Sequence, residues 1–145
     1  MDALELLEED HKRFKAMLKD GEETTERARV GRAELLKRLT RDLQIHERME
    51  EEVLYPALKT HPEAKDIVLE GFEEHHVADM IIAELSETDV SDERWAAKWK
   101  VLQESLEHHI EEEEGEMFKK AKKIFDKEQR EAMGQEMEAI RAEEK

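Results

Sequence analysis

The chain has 145 residues, of which 44% are charged and 38% are hydrophobic, and its formal net charge at pH 7 is −16. This length suits one domain with its own core, and the low content of glycine (5) and proline (2) favours long amphipathic helices over a β-sheet or a disordered chain. The acidity argues against a nucleic-acid partner, whose phosphates require clustered Lys and Arg, and the lack of cysteine excludes disulfides, thiolate metal sites and a cysteine nucleophile.

The first two predicted helices carry apolar residues in steps of three and four, as one face of an α-helix does. In the first helix this face is formed by Leu4, Leu7, His11, Phe14 and Leu18. Asp20-Gly21 and Val30-Gly31 are both candidate breaks, so the first connection is expected between about residues 20 and 31. The second helix is expected to end near Tyr55-Pro56, because proline cannot continue the hydrogen-bond ladder. Its inner face is formed by Leu36, Leu39, Leu43, His46, Glu50 and Val53.

Three more helices are predicted after the turn Thr60-His61-Pro62. The third has an inner face of Val68, Phe72, His75, Asp79 and Ile82. Ser91 is a candidate N-cap for the fourth, whose inner face is Trp95, Trp99, Leu102, Leu106, His109, Glu113 and Met117. A capping box from Asp126 to Gln129 predicts a short last helix packed across the others. The predicted fold is therefore all-α, an antiparallel up-down four-helix bundle with a short extra C-terminal helix, in a single domain of residues 1–145.

Histidines and carboxylates interrupt these apolar faces at related places. Three pairs lie four residues apart, and hence one turn apart on one face: His46 and Glu50, His75 and Asp79, and His109 and Glu113. A shift of 63 residues superimposes the first pair on the third, and a shift of 64 brings His11 onto His75. The chain is therefore interpreted as two related helical hairpins.

The four inner histidines are also expected at one height in the bundle. In an antiparallel hairpin, residues at the same height are equally distant in sequence from the turn. The midpoint between His46 and His75 falls on the turn at residues 60–62, and that between His75 and His109 falls on residues 91–92. The midpoint between His11 and His46 lies within the vague first connection and is compatible with the same layer.

Seven histidine and carboxylate groups converging in one core predict a metal centre. Without a cation, several buried polar groups would compete for partners, at a cost of about 1–3 kcal/mol for each one left unsatisfied. Nitrogen and oxygen donors suit iron, manganese, zinc or copper, and such residues inside a helix bundle are typical of di-iron and di-manganese sites. The set exceeds the needs of one tetrahedral zinc and suits two octahedral ions; a hydrated polar core is the alternative. The candidate metal ligands are His11, His46, Glu50, His75, Asp79, His109 and Glu113.

Neighbouring residues are expected to lie outside this centre. His76 and His108 are turned about 100° around their helices from the adjacent inner histidines, so they should face a flank or water. His61 belongs to a turn. Tyr55 lies roughly opposite His46 on a helical wheel and is given no role in the chemistry.

These motifs resemble those of the hemerythrin-like family, the HHE cation-binding domains, over nearly the whole chain. The matching segments are Asp10-His11, His46-x-x-x-Glu50 followed by Glu-Glu-x-Leu-Tyr-Pro, Glu74-His75, and His109-x-x-x-Glu113 followed by x-x-x-Met-Phe. The resemblance implies a four-helix bundle with a non-haem di-iron centre bridged by an oxo or hydroxo group. It implies that the four inner histidines are terminal ligands and that Glu50 and Glu113 bridge the irons. It also makes Glu47 a further candidate, because some iron-sensing members use the glutamate directly after this histidine.

The chain departs from the oxygen-carrying hemerythrins, which have His-x-x-x-His in the third helix and a final His-x-x-x-x-Asp. Here Asp79 replaces the second of these histidines and Glu113 the final aspartate. An anionic oxygen donor stabilises ferric iron relative to imidazole, so we expect reversible oxygen carriage to be disfavoured. The predicted function is to bind or react with oxygen, peroxide or nitric oxide. The alternative is a non-catalytic iron-binding module for iron sensing or storage, and whether the protein is an enzyme stays open.

The expected ligand is thus a small diatomic molecule or peroxide, with no nucleic-acid or membrane partner and no indication of a protein partner. No segment reaches the apolar length of a transmembrane helix, and the acidic start MDALELLEED is unlike a signal or transit peptide. We therefore expect a soluble cytoplasmic protein. His46→Ala or Glu50→Ala should lose metal, whereas His76→Ala should keep it.

Overall fold

A computed structural model describes residues 1–144, and all regular secondary structure in this range is helical, without strands. The α-helices are α1 (Ala3–Glu22), α2 (Arg29–Met49), α3 (Tyr55–Lys59), α4 (Pro62–Glu87), α5 (Glu93–Glu112), α6 (Phe118–Ile124) and α7 (Lys127–Glu143). A π-helical turn, π1 (Glu50–Leu54), joins α2 to α3, and a second, π2 (Glu113–Met117), joins α5 to α6. These elements form the four rods of the predicted up-down bundle: α1, α2–π1–α3, α4, and α5–π2–α6. Within the bundle, α1 packs on both α2 and α5. In this part of the chain no helix has an apolar stretch that would cross a membrane.

The first connection spans residues 23–28, within the predicted range, yet neither candidate glycine ends a helix. Gly21 is buried in the last turn of α1, where an added Cβ would overlap the indole ring of Trp99. The same indole donates its Nε1–H to the carbonyl of Leu18 at 2.8 Å. Gly31 is exposed in the first turn of α2. Gly21 therefore permits the close contact between α1 and α5, rather than a chain break.

The second rod does not end at Pro56 as predicted. In π1 the N–H of Tyr55 donates to the carbonyl of Glu50, five residues back. The regular hydrogen-bond ladder is therefore already interrupted next to Pro56, which has no backbone N–H to donate. The rod continues to the turn at His61. Because a π-helical turn inserts one residue, the side chains after it are rotated by about 100° relative to a regular helix.

The remaining helix starts follow ordinary capping chemistry. The N-cap of α5 is Asp92, not Ser91: the Asp92 carboxylate accepts the N–H of Arg94 at 2.9 Å, while the Ser91 hydroxyl donates to Asp89. The predicted capping box between Asp126 and Gln129 is present and opens α7, which runs for 17 residues. This extra helix packs on α1 and α2.

A buried polar layer divides the core into two apolar clusters. One cluster includes Leu4, Leu7, Leu54, Leu58, Val68, Phe118 and Met137, and the other includes Phe14, Leu18, Leu39, Trp95, Trp99 and Leu106. The polar layer between them contains Asp10, His11, His46, Glu47, Glu50, His75, His109 and Glu113. Polar side chains at this depth need partners, which makes the layer the candidate functional site.

Candidate metal centre

The structure brings six of the seven predicted site residues together in the polar layer. Each of them is at most 5% exposed: His11, His46, Glu50, His75, His109 and Glu113. Their donor atoms fall into two groups of four, in each of which all atoms lie within 4.8 Å of one another. One group contains His11 and His46, the other His75 and His109, and both contain Glu50 and Glu113.

Every inner histidine directs its Nε2 towards these two glutamates. The distances from Nε2 to the facing carboxylate oxygen are 3.1 Å from His11 to Glu113, 3.4 Å from His46 to Glu50, 2.9 Å from His75 to Glu50 and 3.2 Å from His109 to Glu113. Four nitrogens and two carboxylates therefore enclose one small volume at the centre of the bundle.

The other ring nitrogen of each histidine contacts an outer carboxylate. The Nδ1 to oxygen distances are 2.6 Å from His11 to Glu114, 2.9 Å from His46 to Asp10, 2.7 Å from His75 to Glu51 and 2.6 Å from His109 to Glu74. A carboxylate that accepts the Nδ1–H fixes the orientation of the ring and leaves Nε2 available to a metal. All four inner histidines are thus oriented as metal-binding histidines are.

Sequence reasoning missed these outer carboxylates, although the repeat contains them. Asp10 lies 64 residues before Glu74, and Glu51 lies 63 residues before Glu114. Each adjoins an inner residue on its own rod but contacts a histidine of a different rod. The sequence repeat therefore includes the outer carboxylates as well as the inner residues, and it gives the layer an approximate two-fold symmetry.

Asp79, the seventh predicted residue, does not join the layer. The fourth residue after His75 lies about 40° further around α4, and Asp79 is exposed there. Its charge instead contributes to raising the pKa of Glu47. Glu47 is 6% exposed, and burial raises the pKa of its carboxyl group to about 8 against the opposing charge of His75. Its Oε2 has no hydrogen-bond partner among residues 1–144.

Tyr55 is a site residue that the helical wheel missed. Its hydroxyl donates to Glu113 Oε2 at 2.6 Å and lies 3.3 Å from His75 Nε2. The extra residue of π1 turns Tyr55 from the side opposite His46 towards the layer. Gly71 leaves room for it, because an added Cβ there would lie 2.8 Å from the phenol oxygen. Burial and the charge of Glu113 raise the pKa of Tyr55 well above its ordinary value, so the phenol keeps its proton.

The charges of the layer stabilise one another. Burial alone would lower the pKa of His46, but the charge of Glu50 and the hydrogen bond with Asp10 raise it to about 10. The hydrogen bond and charge of Glu50 likewise raise the pKa of His75 to about 9, against the effect of burial. Burial would raise the pKa of Glu50, yet the charge of His46 holds it well below its usual range. At neutral pH the imidazoles of His46 and His75 are therefore protonated on both ring nitrogens, and a bound metal would displace the Nε2 proton.

The residues present fit a pair of metal ions. The four inner histidines together with Glu50 and Glu113 are called the cage. Five of its atoms have no hydrogen-bond partner within the described residues: His11 Nε2, His46 Nε2, His109 Nε2, Glu50 Oε2 and Glu113 Oε1. Each unpaired buried polar atom costs about 1–3 kcal/mol, and metal ligation would satisfy all of them. Imidazole nitrogen and carboxylate oxygen are also the donors that iron, manganese and zinc accept.

A cavity of about 10 Å³ adjoins the cage. It is lined by His11, Phe14, Leu43, His46, Glu74, His75, Leu106, His109 and Ile110. This volume is close to the roughly 10–15 Å³ that one water molecule requires. The cavity therefore has room for about one water-sized molecule and none for a larger substrate.

The remaining histidines lie outside the cage, as predicted. His76 is exposed, His108 is 70% exposed, and His61 lies in the turn before α4. Trp95 and Trp99 are buried in the apolar cluster.

Comparison with known proteins assigns the chain to a family. The family model described as the hemerythrin HHE cation binding domain matches residues 2–121, a range that contains all six cage residues. The chain is also similar to the crystal structure of a hemerythrin HHE cation-binding domain-containing protein from Mycobacterium kansasii, with a TM-score of 0.84 and 25% identity over 99% of this chain and 87% of that chain. A search of curated proteins finds no match. With its helical bundle and its layer of histidines and glutamates, the chain belongs to the hemerythrin HHE cation-binding domain family.

Proposed function

We propose that this protein binds two iron ions in the buried layer and that the centre binds or reacts with oxygen, peroxide or nitric oxide. The observation that carries the proposal is that Glu50 and Glu113 belong to both four-residue groups, as two bridging carboxylates would. His11 and His46 would be the terminal ligands of one ion, and His75 and His109 those of the other. The match to a cation-binding family supports a metal at this place.

The donor set supports an open, redox-active centre. Four imidazoles and two shared carboxylates leave positions free on two six-coordinate ions. An iron pair would supply the electrons for oxygen or peroxide chemistry, which the side chains lack. The layer has one imidazole fewer than that of an oxygen carrier, because position 79, where oxygen carriers have a histidine, holds an aspartate that points elsewhere. We therefore favour reaction over reversible carriage.

The protein's own groups would control protons and access. The outer carboxylates keep the Nδ1 protons of the histidines and hold the rings in place. The Tyr55 hydroxyl keeps a proton beside Glu113 Oε2. The apolar side chains of Phe14, Leu43 and Leu106 exclude bulk water on the cavity side. These features favour a small uncharged or singly charged ligand.

Iron sensing or storage is the second candidate, and Glu47 favours it. The Glu47 carboxylate is buried near His75 and has an oxygen that makes no hydrogen bond within residues 1–144. As a ligand, this carboxylate would supply a further oxygen donor. An additional anionic ligand would close an open position and favour retention of iron over turnover.

The two candidates differ in what happens after iron is bound. The metal-free protein should be loaded anaerobically with ferrous iron and then exposed separately to oxygen, hydrogen peroxide and nitric oxide while its absorption spectrum is followed. We expect two irons per chain and either repeated consumption of peroxide or a new spectrum with oxygen or nitric oxide. One-way oxidation without turnover would favour sensing or storage, and full spectral reversal on deoxygenation would identify a carrier.

Variants of the candidate ligands test whether iron is bound in this layer. Glu50→Gln and Glu113→Gln should each bind fewer than two irons, because each removes a shared charged ligand. His76→Ala is the matched control: it removes an exposed histidine next to His75 and should bind two irons. Equal loss of iron in all three variants, or full iron binding in all three, would contradict the proposal.

A further inference from the structure

The two halves of the layer share a plan but differ in how their outer carboxylates are held. The side chains of Glu51, Glu74 and Glu114 are 39%, 24% and 36% exposed, so water stabilises their charges. Asp10 is 1% exposed. A buried carboxylate has lost the stabilisation that water gives its charge, so it needs a charged partner from the protein, and removing that partner is strongly destabilising.

Asp10 receives that partner from α7. Arg141 donates from Nη2 to both carboxylate oxygens of Asp10, at 2.8 Å and 2.7 Å. Arg13 lies 2.9 Å from the same carboxylate, but its side chain is 49% exposed, compared with 29% for Arg141. An exposed ion pair contributes little, so Arg141 is the stronger partner.

The same carboxylate orients a histidine of the cage. Asp10 Oδ2, which accepts from Arg141, is also 2.9 Å from His46 Nδ1. A continuous set of contacts therefore runs from α7 through Asp10 to His46, whose Nε2 faces Glu50. Among residues 1–144, no lysine or arginine pairs with the outer carboxylates Glu51 or Glu74 of the other half.

α7 is firmly seated, so Arg141 is held in place. Met137 is fully buried, and an added Cβ at Gly134 would lie 2.5 Å from the carbonyl of Met1. At the C-terminal end of α7, Glu143 pairs with Arg48 of α2 at 3.0 Å. The helix lies beyond residues 2–121, which the family model matches, so this contact is an addition to the matched domain.

We propose that Arg141 is a positioning residue for the metal centre: it fixes Asp10, and through Asp10 the ring of His46, so that α7 sets the affinity of one of the two metal positions. The proposal rests on the two-metal function proposed above. It predicts that the position next to His11 and His46 depends on α7 and that the position next to His75 and His109 does not.

The test compares two arginines of the same helix. Arg141→Met removes the charge on Asp10, whereas Arg130→Met removes an arginine that contacts Asp2 and the carbonyl of Phe125, away from the layer. Cobalt(II) is titrated anaerobically into each metal-free variant and the wild type. Loss of an outer partner typically weakens metal binding about 10–100-fold, so Arg141→Met should weaken one of the two equivalents by about 10-fold. Arg130→Met should leave both unchanged, and Arg141→Lys should recover part of the loss.

A second readout needs no metal. In ¹⁵N NMR spectra of the metal-free protein, His46 should show a protected Nδ1–H in the wild type and in Arg130→Met, and Arg141→Met should lose that protection. Absence of cobalt binding by the wild type would overturn the two-metal function, while this spectrum would still decide the role of Arg141. The positioning role is wrong if His46 is unchanged in Arg141→Met. It is also wrong if Arg130→Met and Arg141→Met weaken both equivalents alike, because α7 would then act only by docking.

Discussion

At the scale of single residues, Tyr55 distinguishes the two halves of the layer most clearly. Its counterpart in the repeat, 63 residues later, is Phe118. The Tyr55 ring stacks on His75 with centroids 5.4 Å apart, and the Phe118 ring stacks on His11 at 6.0 Å. Only Tyr55 adds a hydroxyl, which donates to Glu113. The two halves of the layer therefore also differ in the aromatic residue that stacks on the histidine.

Tyr55→Phe should separate a structural tyrosine from a ligand. The variant removes a hydrogen bond to a charged group and should lower the free energy of unfolding of the metal-free protein by about 1.5–3 kcal/mol. It should still bind two irons, because the cage is intact, and its rate of reaction with oxygen or peroxide should change. Chemical denaturation and iron analysis measure these effects. Loss of one iron per chain would mean that Tyr55 itself holds metal.

The sequence predicted the inner cage residues because each replaces an apolar residue on a regular helical face. His46 precedes the π-helical turn and Glu50 is its first residue, so their positions on the wheel were correct. Tyr55 follows it and was therefore misplaced by one residue of rotation. Asp79 was misplaced for a different reason: its 40° offset from His75 equals that of Glu50 from His46, so a helical wheel cannot separate the exposed residue from the buried one.

At the scale of elements, the glycines of α1 and α2 show why local signals misjudged helix ends. Gly21 and Gly31 were both read as possible breaks, yet both lie within helices. A glycine weakens a helix but does not end it when tertiary packing requires a small residue. The contact between Gly21 and Trp99 joins residues far apart in sequence, and no local pattern could reveal it.

Alanine substitution at these two glycines should have opposite effects. Gly21→Ala should lower the free energy of unfolding by about 1–3 kcal/mol, because the methyl group overlaps the Trp99 indole. Gly31→Ala should raise it by about 0.5–1 kcal/mol, because the position is exposed and helical and the added Cβ meets only Ala28 at 4.0 Å. Urea denaturation of both variants measures the difference. Equal effects of the two substitutions would show that Gly21 does not set the spacing of α1 and α5.

The paired π-helical turns connect the elements to the site. Both begin at an inner glutamate, Glu50 or Glu113, and both precede an aromatic residue that stacks on a histidine. The 63-residue repeat is visible in the sequence, but the extra residue of each turn is not, because π-helical turns have no clear sequence signal. The helices and the polar layer were therefore predictable, whereas the residues after each turn were not.

At the scale of the whole molecule, the fold places a cation site at the centre of an acidic chain. A net charge of −16 attracts cations to the surface, and the apolar clusters on both sides of the layer keep water from its centre. Four rods contribute one inner histidine each, and two also contribute a shared glutamate. α7 lies outside this plan, and Arg141 joins it to the layer through Asp10.

We propose that Glu50 and Glu113 hold two metal ions between two pairs of histidines. The most direct measurement is anomalous X-ray scattering at the iron edge from crystals grown after anaerobic loading with ferrous iron. The account predicts two iron peaks per chain, one beside His11 and His46 and one beside His75 and His109, with both glutamates between them. A single peak, or peaks only at the partly exposed group of Glu74, His108 and Glu112, would contradict it.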